Sequence, residues 1–205
     1  MMRACPRKRY ANRSAALRAG LLLLVFVLLA CAATNAAAQG YVEETLPTCF
    51  GCHGTNGVSE QAQYPILAGQ EFYYLYVQLK DYKSGLRANP TMGLIVADME
   101  KEQMKALAQY FSEQQWPNID HTPQAEARPA ALASISAGQC VACHLGGFEG
   151  NSRVPRLAGQ HPEYLRQTML DFKTKARANS PAKGSLLGSM SAEEIAHLAD
   201  YLGGM

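Results

Sequence analysis

The sequence predicts an all-α protein built from two tandem helical units, and three observations carry that prediction. Apolar residues recur at helical spacing, and nothing in the mature chain alternates long enough to make a strand. A block of sequence returns after 91 residues with only small gaps, the mark of an internal duplication. Each copy also holds one C-x-x-C-H string, Cys49-Phe50-Gly51-Cys52-His53 and Cys140-Val141-Ala142-Cys143-His144.

The elements follow in chain order. Residues 1–38 form a leader with six basic and no acidic residues, an uncharged apolar run over Gly20–Ala33, and small residues at Ala36 and Ala38. That layout predicts a secretory signal peptide cut before Gln39, the apolar run being short for a membrane span. Two alternatives stand beside it: retention of the segment as a membrane anchor, and acylation of Cys31 in a lipoprotein box that Leu29 fits poorly. Without the leader the chain holds 13 basic and 17 acidic residues, a net charge of −4 with histidines neutral. No basic stripe is present, so nucleic acid is not an expected partner.

The first unit, 39–116, carries a helix over Glu71–Ser84 with Gly85 as its C-cap, and a second amphipathic helix over 100–114. Residues 117–129 include Pro117, Pro123 and Pro129 with no apolar period, and predict a linker. The second unit, 130–205, ends in a helix that Ser191-Ala192-Glu193-Glu194 opens as a capping box. The repeat pairs Pro65-Ile66-Leu67-Ala68-Gly69-Gln70 with Pro155-Arg156-Leu157-Ala158-Gly159-Gln160, and Gln78–Tyr82 with Thr168–Phe172. It likewise pairs Arg87-Ala88-Asn89 with Arg177-Ala178-Asn179.

Four cysteines remain in the mature chain, and export would ordinarily pair them as disulfides. Zinc would need both pairs brought together, and a redox dithiol would need a strand-helix setting. The repeated C-x-x-C-H string instead predicts covalent attachment of two haem c groups through Cys49, Cys52, Cys140 and Cys143. Two thiols three residues apart reach the vinyl groups on one porphyrin edge, and the adjacent His53 or His144 becomes the proximal iron ligand. Units of roughly 75 residues make marginal cores. The porphyrin would supply the missing centre, so each half is expected to fold poorly without it.

The combination of a signal peptide, two C-x-x-C-H motifs, two P-x-L-A-G-Q strings, two R-x-N segments and paired terminal helices resembles the cytochrome c4 family. The resemblance covers nearly all of residues 41–204. It implies two tandem class I cytochrome c domains with closely placed, His/Met-ligated haems, located in the bacterial periplasm. It also implies a carrier that passes electrons between redox proteins such as a dehydrogenase and a terminal oxidase. Pro65 and Pro155 then stand where a backbone carbonyl accepts the proximal imidazole N–H.

Within that resemblance Met92, in Arg87-Ala88-Asn89-Pro90-Thr91-Met92, stands at the sulfur-ligand position of the first iron, with Met99 and Met104 read as packing residues. The second half departs. Arg177-Ala178-Asn179-Ser180-Pro181-Ala182-Lys183 needs one inserted residue, after which Lys183 falls where Met92 stands. Three readings stay open there: Met190 ligates from a rearranged loop, Lys183 ligates as a neutral amine, or Lys183 is solvated and the site is open. The remaining His121, His161 and His197 read as linker, helix-start surface and helix-face residues.

Electron transfer is the leading function, with no catalytic residues. A dihaem peroxidase-like enzyme or a sensor, using an open second haem, is the alternative. Residues 39–116 hold five basic and nine acidic residues, whereas 130–205 hold seven and six. Such asymmetry suits oriented docking on redox partners.

Overall fold

The computed structural model describes Phe26 and residues 39–205, so the leader assigned to 1–38, Phe26 apart, lies outside the described residues. Helix α1 runs over 39–53 among the described residues. It is followed by α2 (Phe72–Lys83), α3 (Pro90–Val96) and α4 (Lys101–Ser112), then α5 (Ala127–Gly138), α6 (Val141–His144), α7 (Pro162–Thr174), α8 (Pro181–Gly188) and α9 (Ala192–Gly203). Among the described residues the sole β feature is an isolated bridge between Asn151 and Val154. None of the described helices is long and apolar enough to cross a membrane.

The two halves repeat one plan. In the first, α2 packs on α3 and α4; in the second, α7 packs on α8 and α9, and α9 on α5. The helices expected over Glu71–Ser84 and 100–114 are α2 and α4. The αL glycine predicted after α2 is Gly85, at φ +77°. Ser191 opens α9 as expected: Glu194 N–H donates to Ser191 Oγ at 3.1 Å, and Ser191 N–H to Glu194 Oε2 at 2.6 Å. Helix α4 carries an equivalent box from Glu100 and Gln103, which a Ser/Thr-based search passes over.

Apolar faces meet against each terminal helix. In the first half Val42, Val96, Met99, Met104 and Leu107 form one cluster, and Leu75, Ala108 and Phe111 another. Ala131, Ile135, Phe148, Leu165, Leu198 and Leu202 build the counterpart in the second half.

The linker is shorter than 117–129. Helix α5 begins at Ala127, with Pro129 inside its first turn, where a missing N–H costs nothing because those donors have no intrahelical partner. The remaining segment is pinned to α9: His121 Nε2 and Gln124 N–H bond the two carboxylate oxygens of Asp200 at 2.7 and 2.8 Å. Trp116, just before it, lies against both P-x-L-A-G-Q turns. A Cβ on Gly69 (φ +65°) would come within 2.9 Å of the Trp116 backbone, and one on Gly159 (φ +70°) within 3.1 Å of its indole nitrogen. Glycine is needed at both turns for conformation and for space.

The same strings clamp the halves together by pseudo-twofold exchange. Gln160 takes the Ile66 N–H at 2.9 Å and donates to the Ile66 carbonyl at 3.0 Å. Gln70 does the same to Arg156, at 2.8 and 3.0 Å. Tyr74 N–H bonds Ser152 O, and Tyr164 N–H bonds Ala62 O, both at 3.1 Å. His161 therefore departs from its expected surface position: it is 9% exposed, with Nε2 at 2.8 Å from Ser59 O across the same interface.

Candidate haem sites

Each C-x-x-C-H string ends a helix. In the first half, α1 runs straight through Cys49, Cys52 and His53. In the second, α5 breaks at Gln139 (φ +50°) and the string forms the short α6. All four cysteines are unpaired, so neither string is a disulfide. Among the described residues no three His, Cys, Asp or Glu side chains converge as a metal cage, which removes the zinc reading that needed both pairs together.

The histidines are oriented alike. His53 Nδ1 lies 2.9 Å from the Pro65 carbonyl, and His144 Nδ1 lies 3.1 Å from that of Pro155. A carbonyl only accepts, so Nδ1 carries the proton and the Nε2 lone pair is left for a metal. Burial lowers the pKa of both imidazoles; the proline carbonyls act in the opposite sense. The positive charge of Lys183 adds to burial at His144, which falls to about 4. Both rings are thus neutral, as a ligand must be. Burial also raises the Cys49 thiol to about 11.

One cavity of about 780 Å³ is lined by all four cysteines, both histidines, Pro65 and Pro155. Its walls are largely apolar, drawn from Leu75, Leu79 and Phe111 in the first half and from Leu165, Phe172 and Leu202 in the second. Met92 lines it from the third residue of α3, its backbone N–H held by the Asn89 side chain at 2.9 Å. Met99 also reaches the wall, whereas Met104 is packed in the core. Lys183 lines the cavity in the second half; Met190 is not among the lining residues and packs on that half's core cluster.

The same cavity is lined by a polar group drawn from both repeats. Arg87, 9% exposed, donates to Gln78 Oε1 and to the Tyr164 hydroxyl, both at 3.0 Å. Arg177, 6% exposed, donates to the same Gln78 oxygen at 2.7 Å and to the Tyr74 hydroxyl at 3.4 Å. Each guanidinium also lies over an aromatic ring, Arg87 on Tyr82 at 4.6 Å and Arg177 on Phe172 at 4.4 Å. Neither forms a salt bridge with any described carboxylate. Two buried cations without counter-ions are costly. They fit a ligand that brings its own carboxylates, as the two propionates of haem do. The repeated R-x-N string was the available signal.

These residues fit the group that the motifs imply. Cys49 with Cys52, and Cys140 with Cys143, would tether it; His53 and His144 would hold its iron; the apolar walls would exclude water; and the arginines would face its acids.

Comparison with known proteins agrees with that chemistry. Residues 127–202 match the family described as cytochrome c oxidase, cbb3-type, subunit III. Cytochrome c4 of Pseudomonas aeruginosa is 30% identical over 195 residues, covering 90% of this chain and 96% of the relative. A thiosulfate dehydrogenase electron acceptor of Stutzerimonas stutzeri is 33% identical over 175 residues, covering 80% of this chain and 81% of that one. The crystal structure of reduced cytochrome c4 from Pseudomonas stutzeri superposes with a TM-score of 0.73 at 25% identity, covering 82% of this chain and 98% of the other.

Proposed function

The chain belongs to the cytochrome c4 family of electron carriers, and from that premise we propose that it is exported to the periplasm, binds one covalent haem c in each half, and relays electrons between redox proteins. A dehydrogenase on the donor side and a terminal oxidase on the acceptor side are the partner classes this reading takes up. Similarity to a protein named as a thiosulfate dehydrogenase electron acceptor makes an enzyme oxidising inorganic sulfur one concrete donor to try.

The observation that carries the proposal is the shared cavity. Both C-x-x-C-H strings, both carbonyl-oriented histidines and both unpaired arginines open onto it. The haem would supply one-electron chemistry; the protein supplies attachment, orientation and electrostatics. Met92 presents a soft thioether at the first site, which favours ferrous iron and raises the potential. Buried positive charge at Arg87 and Arg177 acts in the same direction, because reduction lowers the charge on iron. Apolar walls keep the surroundings of the iron from reorganising with water.

The test is chemical. Protein secreted by a host with a c-type haem assembly system should give an alkaline pyridine haemochrome equivalent to two haems per chain. Its mass should begin at Gln39. Recovery of an apo-polypeptide, or of intact chain in the cytoplasm, would overturn the corresponding part of the proposal.

A further inference from the structure

The distal sides of the two sites are built on one template and filled with unlike donors. Helix α3 begins at Pro90 after the N-cap Asn89, and Met92 is its third residue. Helix α8 begins at Pro181 after the N-cap Ser180, and its third residue is Lys183. The one-residue insertion between Asn179 and Pro181 is absorbed before the helix starts, so the register inside the helix is unchanged. Met92 and Lys183 thus hold the same helical position, on helices that pack on α2 and α7 respectively. Both line the cavity.

Met190 has a different structural twin. Lys173 Nζ donates to the Met190 carbonyl at 2.7 Å, and Lys83 Nζ donates to the Met99 carbonyl at 2.7 Å. Met190 therefore occupies the turn that Met99 occupies, one element beyond the ligand position, and its side chain packs on the core cluster of the second half. Met99 reaches the cavity wall from that turn, whereas Met190 does not line the cavity.

Lys183 also does not behave as a solvated surface lysine. Its Nζ lies 5.5 Å from the centre of the Phe172 ring, inside the cavity wall, and it forms no salt bridge with any described carboxylate. Lys173 on the neighbouring helix, by contrast, reaches out to two backbone carbonyls, those of Gly188 and Met190.

We propose that Lys183 Nζ is the distal iron ligand of the second haem, opposite His144, so that the chain pairs one His/Met site with one His/Lys site. The inference rests on the two-haem reading above. Coordination uses the lone pair of the neutral amine, and the ammonium proton leaves to solvent. The amine is a harder donor than a thioether and favours ferric iron. The second haem then has the lower midpoint, and an electron on the molecule rests on the first.

Ferric near-infrared magnetic circular dichroism and low-temperature spin resonance of the intact secreted protein test this. Wild type should show one sulfur-to-iron band and one nitrogen-only low-spin signal, in equal amounts. Lys183→Met should double the sulfur band and draw the two midpoints together. Lys183→Ala should convert half the iron to high spin or water-ligated spectra, and Met190→Leu should leave the spectra unchanged. If Lys183→Ala or Lys183→Met keeps the wild-type spectrum, or Met190→Leu abolishes a low-spin signal, the assignment is overturned. Pyridine haemochrome on the same samples separates the two readings. Fewer than two haems per wild-type chain defeats the dihaem reading, whereas two haems with unmoved spectra defeat only the lysine.

Discussion

Replacing Gln160 with alanine isolates the interface clamp, and its cost follows from the structure. The side chain is 2% exposed and satisfies both the N–H and the carbonyl of Ile66, itself 1% exposed, as well as the His161 N–H at 3.0 Å. A buried backbone group left without a partner costs about 1–3 kcal/mol. Orphaning both polar groups of Ile66 should therefore remove about 4 kcal/mol. For a chain of this size that corresponds to a fall of roughly 10 °C in Tm. The effect should reach the first haem site, because the residue before Ile66 is Pro65, whose carbonyl orients His53. Denaturant unfolding of the holoprotein, followed both by far-ultraviolet dichroism and by the haem Soret band, measures both consequences. Gln109→Ala, at an exposed position on α4, serves as the control and should lie within about 0.5 kcal/mol of wild type. A loss from Gln160→Ala no greater than that of the control would refute the clamp. So would a full loss with no disturbance of the first haem, as far as the link to His53 is concerned.

Two further outcomes are expected. Ser191→Ala should cost about 1 kcal/mol by removing the acceptor for the Glu194 N–H. The carboxyl of Glu194 is held below its ordinary range by hydrogen bonds from the Ser191 backbone N–H and then the Ser191 side chain. A depressed carboxyl contributes stability that is present above its unfolded pKa near 4.5 and is lost as pH falls through the folded value. The gap between wild type and Glu194→Ala, measured by thermal melts across this window, should accordingly narrow in acid; a constant gap would contradict the reciprocal cap. Replacing Cys140 and Cys143 together with alanine should remove one haem by mass. It should also cost amide-exchange protection across α5–α9, since the core of the second half is built around the cavity wall. Protection equal to wild type would show that half to be self-sufficient.

Much of the local design is legible along the chain. The C-x-x-C-H strings, the duplicated blocks, the α2 and α4 boundaries and the Ser191 cap depend on residues a few positions apart, and short-range spacing encodes them directly. The pairing of His53 with Pro65 and His144 with Pro155 spans 12 and 11 residues and came from family resemblance rather than spacing. The short helices α3 and α8 are not legible in the sequence. A proline after an Asn or Ser signals a helix start, but seven or eight residues carry too little apolar period to declare a helix.

Tertiary structure alone decided how the halves meet. The Gln160–Ile66 and Gln70–Arg156 exchanges join residues 94 and 86 positions apart, and the hydrogen bond from Arg177 to Gln78 spans 99. No local pattern records such contacts, because they arise when two copies of one surface pack about a pseudo-twofold axis. In sequence, the arginines and glutamines of the repeat look like solvated polar residues, and His161 looks like an exposed helix start. Burial turns them into an interface, since a polar group removed from water must find a partner and here the partner lies in the other copy. The same holds for Lys183 and Met190: residue counting does not distinguish them, and only the fold shows that Lys183 lines the cavity while Met190 packs on the core cluster of the second half.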